Sequence, residues 1–256
     1  MNTLEELKDK IATARDLDFG DIINESIEVF KKIWMKGLFV VSFVVIIALC
    51  LGLLFSAIGL SLDPNIYFEG FELEAFIKFY YVNALYSIPQ TILVSTATLA
   101  FVGAFYRICD NVLAESEHQD DYFYFFKKEY FTKVFMLGII YTGIATIAQL
   151  LCGLPYIYVF VPLSYFAVIL AKHPELSETE IVKASFALGN KKWLLTFGTL
   201  FVAALLGMLG IIGCGIGVLF TISIAYLPPY LIYRNSIEKT DLEDFQVTDD
   251  NISIEE

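Results

Sequence analysis

The stretch VFMLGIIYTGIATIAQLLCGLPYIYVFVPLSYFAVILA, Val134–Ala171, contains no Asp, Glu, Lys, Arg or His. Neither does LLTFGTLFVAALLGMLGIIGCGIGVLFTISIAYLPPYLIY, Leu194–Tyr233. One crossing of a bilayer takes roughly 20 apolar residues, so each run holds two crossings and a turn. The turns fall at Gly153, Leu154 and Pro155 in the first run and near Gly213, Cys214 and Gly215 in the second. A helix at the edge of a water-soluble core keeps a polar face, and runs of this length have none. The whole chain agrees: 57% of its residues are hydrophobic, 18% are charged and its mean hydropathy is +0.65, well to the apolar side of soluble domains.

Outward from these runs, a further apolar stretch covers Gly37–Leu60, and another covers Ala84–Tyr106 with Pro89 inside it. The pattern therefore predicts an all-α polytopic membrane protein of six transmembrane helices arranged as three hairpins. The expected crossings are residues 37–60, 84–106, 134–152, 155–171, 194–212 and 215–233, with Pro228 and Pro229 kinking or ending the last one. Residues 61–83 are acidic and rich in Tyr and Phe, the composition of a segment at headgroup level. Residues 1–36 read as cytoplasmic amphipathic helices and 234–256 as an acidic flexible tail.

Of the 17 Lys and Arg residues, all but Lys78 fall on one side of this map. Loops that keep Lys and Arg stay in the cytoplasm, so both termini are expected there, in a bacterial inner membrane. Leu4, Leu7 and Ile11 share one helical face, as do Phe19, Ile22, Ile23, Ser26, Ile27 and Phe30, and such helices are expected along the inner membrane surface. Ser177 and Glu180 form a capping-box pattern at the start of a further cytoplasmic helix. Met1–Lys36 has no apolar core of a signal peptide, so insertion is expected to begin with the first crossing. The net charge of -12 argues against nucleic acid as a partner, which requires a basic face.

Three places share a pattern just before an outgoing crossing. They are Lys31, Lys32 and Trp34; Lys127, Lys128 and Tyr130; and Lys191, Lys192 and Trp193. Ser26 precedes Trp34, and Ser185 precedes Trp193, by the same interval. Paired cations meet lipid phosphate while the ring sits at the interface, so all nine are candidate interfacial anchors. The pattern is read either as three duplicated units or as three uses of one generic anchor.

The segments Asp18 to Ser26, Ile27 to Trp34, and Ile181 to Trp193 before a Leu- and Gly-rich span resemble the YciC-like bacterial membrane proteins. They resemble equally the related membrane domain attached to some glycerophosphodiester phosphodiesterases. The likeness covers most of residues 18–234 and implies a six-span protein more than an activity. A phosphodiesterase of that type needs a separate metal-binding domain, for which this chain has no room. Some similar flavobacterial proteins carry a carotene-oxygenase label, but oxygenases of that kind hold iron with four histidines, and this chain has only His118 and His173.

Inside the expected crossings the polar side chains are neutral, and Gln90, Thr91, Tyr141 and Gln149 are candidates to line an intramembrane polar cavity. No ionisable group is expected in the bilayer, which disfavours proton- or ion-coupled transport. His118 sits in an acidic loop, His173 marks a helix boundary without an evident partner, and the four cysteines show no ligand spacing. No catalytic, cofactor-binding or metal-binding residue is expected. The expectation is a non-enzymatic membrane protein whose partners are membrane lipid, another membrane subunit or a second copy. The alternative is a permease for a neutral or lipidic solute.

Overall fold

A computed structural model describes residues 3–59, 73–116, 119–151, 153–213 and 217–238. Among these residues every regular element is a helix. The long acidic and aromatic segment before residue 73, His118, Cys152, Cys214, Gly215 and the acidic tail from 239 onward lie largely or wholly outside the described residues.

Helix α1 spans Thr3–Thr13 and α2 spans Phe19–Ala57. Helices α3, Leu73–Tyr86, and α4, Ile88–Leu113, meet at a break at Ser87. Helix α5 runs Lys128–Leu150, α6 Leu154–Ser164 and α7 Phe166–Lys172. Helices α8, Glu178–Lys191, and α9, Trp193–Met208, are followed by the short α10, Gly217–Thr221, and α11, Leu227–Tyr233. A 3-10 turn at Ile222–Tyr226 and a π turn at Arg234–Glu238 flank α11. Among the described residues five stretches are long and apolar enough to cross a membrane: Phe19–Ala57, Ile88–Leu113, Lys128–Leu150, Leu154–Lys172 and Trp193–Ile211.

The expected surface helix and the first crossing are one object. α2 runs unbroken for 39 residues, about 58 Å at 1.5 Å per residue, so its first half is continuous with the apolar half and not a separate helix. Asp18 starts it, accepting from the Gly20 N–H at 2.7 Å and the Asp21 N–H at 3.1 Å, as an N-cap should. Its buried stripe is Ile22, Ser26, Val29, Ile33, Gly37 and Val40, rotated from the expected one, with Phe19 exposed. The apolar face of α1 is likewise turned inward. Leu4, Leu7 and Ile11 are buried within the protein core, where α1 packs on α8 and the π turn.

α4 is the central helix, packed against α2, α5 and α7. Gly138 permits the α4–α5 approach, since a Cβ there would lie 2.1 Å from Thr96 Oγ1. The second crossing is displaced from its expected place. Pro89 stands in the first turn of α4, where its missing N–H has no partner to lose, and the helix continues past Arg107 to Leu113. Near the last turn the backbones of Gly210 and Gly217 touch.

Two apolar stretches are broken by proline. α6 ends and α7 begins around Tyr165, just after Pro162. Pro162 cannot donate to the carbonyl four residues back, and that carbonyl, on Tyr158, accepts instead from the Trp193 indole Nε1–H at 3.0 Å. Gly189 makes room for the contact, because a Cβ there would meet the Pro162 backbone at 2.7 Å. The expected sixth crossing is not one long helix. It is the sequence of α10, 3-10 turn, α11 and π turn, with Pro228 and Pro229 at the start of α11.

Candidate functional site

The two proline breaks face a common chamber of about 290 Å³. Its first wall is α4, through Val94, Ser95, Thr98, Leu99, Val102 and Tyr106. Leu163, Ser164 and Ala167 come from either side of the Tyr165 break, and Ala225, Tyr226 and Pro229 from the other one. Tyr141 of α5, Phe160 of α6, and Leu200 and Ala204 of α9 complete it. A continuous helix presents an even surface of ridges, whereas an interrupted one bends away from its neighbour. The hollow lies where both interruptions meet.

Most of its hydroxyls are satisfied. Thr98 donates to the Val94 carbonyl at 2.8 Å, Ser164 to Val161 at 2.7 Å and Tyr106 to Tyr226 at 2.8 Å. Ser95 Oγ accepts from Thr142 at 3.3 Å. The hydroxyls of Tyr141 and Tyr226 have no partner among the described residues. Both residues are half-buried, and both line the chamber. No charged side chain lines it.

Of the four residues expected to line a cavity, only Tyr141 does so here. Gln90 points to α2, its Nε2 3.6 Å from where a Cβ of Gly52 would stand. Thr91 is half-buried outside the chamber wall. The Gln149 main-chain carbonyl accepts from the Tyr80 hydroxyl at 2.9 Å, and its side chain is not in the wall. Tyr226 was legible only as one polar residue among many, because its role depends on a broken helix brought alongside α5.

Below the chamber lies a charged clamp that the sequence did not reveal. The Tyr106 ring stacks on Tyr230 at 5.4 Å, and the Tyr230 hydroxyl donates to Asp110 Oδ1 at 2.6 Å. Lys172 Nζ pairs with Asp110 at 2.6 Å and with Glu238 at 2.8 Å. Lys172 itself is 11% exposed. The clamp thus joins α4, α7, α11 and the π turn. His173, expected to be unpartnered, has its Nε2 2.7 Å from the Tyr233 hydroxyl and its Nδ1 3.1 Å from Glu175.

The nine candidate anchors divide into three kinds. Lys31, Lys32 and Trp34 are exposed, with Trp34 against Phe220 at 6.3 Å. Lys127 pairs with Asp121 at 2.7 Å and lies over the Tyr124 ring. Lys128 is exposed, and the half-buried Tyr130 accepts from the Tyr124 hydroxyl at 2.9 Å. The third set holds protein. Lys191 donates to the Ala12 carbonyl, and Lys192, only 5% exposed, reaches the Arg15 carbonyl at 2.5 Å and Asp16 at 3.1 Å. With Trp193 bound to Tyr158, this set ties α1 and α6 to the α8–α9 junction.

Among the described residues no group of three or more His, Cys, Asp or Glu side chains is placed to hold a metal ion. The arrangement offers shape, apolar surface and two free hydroxyls, which suits binding. No family model, curated protein or solved structure matches the chain.

Proposed function

We propose that the chain is a six-span protein of the bacterial inner membrane with both termini in the cytoplasm, and that it binds a lipidic molecule in the chamber without transforming it. One observation carries this reading: the most apolar of the candidate spans is the least buried. The most apolar window of α2 has a mean hydropathy of 3.1 and is only 17% buried, whereas that of α4 has 1.7 and is 72% buried. A protein dissolved in water places its oiliest helix at the centre. One dissolved in acyl chains has no such need and gathers its hydroxyl-bearing helix inside. The motifs at residues 18–34 and 181–193 support placing it with the YciC-like proteins.

Extraction into lipid nanodiscs, followed by native mass spectrometry, tests the binding. The expected result is one retained lipidic molecule per chain, lost on filling the chamber by Ala204→Trp. A chain that disperses in water without detergent overturns the reading, as does a nanodisc-held chain with no retained molecule. Orientation is checked in a cysteine-free background: Lys31→Cys is expected to react with an impermeant maleimide only when the inner face is accessible.

A second reading, a carrier for the same class of molecule, is favoured by the clamp. The clamp adjoins the chamber through Tyr106, which lines the wall and stacks on Tyr230, and Lys172→Met is expected to expose a Tyr226→Cys probe to labelling from the cytoplasm. Unchanged labelling removes the support for it.

A further inference from the structure

We infer that the chamber selects a neutral, slender amphiphile whose head is a single hydroxyl or carbonyl oxygen, and that the Tyr141 and Tyr226 hydroxyls are the groups that recognise it. The inference rests on the lipid-binding reading and narrows it to a ligand class.

Size sets the first bound. An apolar cavity of about 150 Å³ admits benzene, so a chamber of about 290 Å³ takes one chain or a small ring system and excludes a whole two-chain phospholipid. Charge sets the second. Among the described residues no Lys, Arg, His, Asp or Glu lines the wall, so an ionised head would lose its water with no counter-charge in return. Phosphate, carboxylate and ammonium heads are therefore rejected.

The two phenols set the third. Every other chamber hydroxyl for which a bond is described is already engaged with the protein. Tyr141 and Tyr226 are not, and both line the same chamber. A phenol left without a partner in an apolar surround is costly, and an oxygen acceptor presented to the two relieves both. Water is a poor substitute, since an ordered molecule needs two to four polar partners and the rest of the wall is largely apolar. The source of the ligand is the bilayer. Phe160 both lines the chamber and is 38% exposed, and α9, which lends Leu200 and Ala204 to the wall, leaves the neighbouring Phe201 and Leu205 exposed. The mouth therefore opens among apolar side chains.

The experiment uses the full chain in nanodiscs and radiolabelled 1-decanol, decane and decanoate, with empty nanodiscs as background. The expected result is one decanol per chain, bound about tenfold more tightly than decane, the factor that one ordinary hydrogen bond contributes. Decanoate is expected at background. The double variant Tyr141→Phe with Tyr226→Phe should bring decanol to the level of decane and leave decane unchanged, and each single variant should give an intermediate loss. Ala204→Trp should abolish both. Equal binding of decanol and decane by the unaltered protein overturns the recognition by phenols and leaves the lipid-binding chamber standing. Preference for decanoate overturns the neutral-head assignment, and no binding above background by any probe overturns the chamber reading itself. The unaltered protein alone gives this discrimination, so a variant that fails to fold does not remove the test.

Discussion

At Pro162 the chain loses a main-chain donor, and Trp193 supplies one from another helix. Trp193→Phe keeps most of the ring, including its stack on Phe197 at 5.0 Å, and leaves the Tyr158 carbonyl unsatisfied. The expected cost is about 1–2 kcal/mol, read as a lower midpoint of thermal unfolding in detergent. Glu180 gives a pH-dependent prediction. Its carboxylate accepts from the Ser177 hydroxyl at 2.7 Å and the Ser177 N–H at 2.9 Å, which holds it below its ordinary 4.5. Because the folded value is depressed, the contribution is present above 4.5 and disappears as the pH falls through the folded value. Hydrogen exchange in the first turn of α8 should accelerate relative to the rest of that helix on acidification, and Glu180→Gln should abolish that difference. The capping box could be read from Ser177 and Glu180 alone because its partners are three residues apart. The Trp193 bond could not, because nothing in the sequence says which distant donor meets a carbonyl freed by Pro162.

Among the helices, the clearest contrast is between α2, which runs through Lys31, Lys32 and Trp34, and α8–α9, which break at Lys192 beside the same pattern. The local sequences look alike, so the difference is tertiary. Lys192 turns into the protein to bind Arg15 and Asp16, while the matching position of α2 is the buried, apolar Ile33. Trp34→Pro should cost about 3 kcal/mol or more, the penalty of a helix interior, and should sharply lower the yield of folded protein on gel filtration. Periodicity and long uncharged runs showed where apolar helices lie. They did not show that a surface stripe continues into a crossing, or that the stripe of α1 faces protein, since lipid and protein interiors both demand apolar side chains. The cavity was legible in kind, as neutral polar groups within the helices, and Tyr141 was among those named. Its other walls depend on bends at Tyr165 and Pro228, whose directions local sequence does not encode.

For the molecule as a whole, the clamp of Asp110, Lys172, Tyr230 and Glu238 gathers four elements at one end. Lys172→Met removes the shared cation. Both carboxylates are about a third exposed, 35% each, so solvent softens the loss to roughly 2 kcal/mol, below the cost of a fully buried pair. Adding Asp110→Asn and Glu238→Gln to Lys172→Met should restore most of the thermal midpoint, because the penalty is unpaired charge rather than lost packing. The broken C-terminal path has a consequence for synthesis. Residues 222–229 supply the final section of wall and leave the ribosome after every other part of it. Until they dock, the nascent hollow is a trough open along one side, and on the lipid-binding reading proposed above an acyl chain lying in that trough would be enclosed when the last segment folds over it.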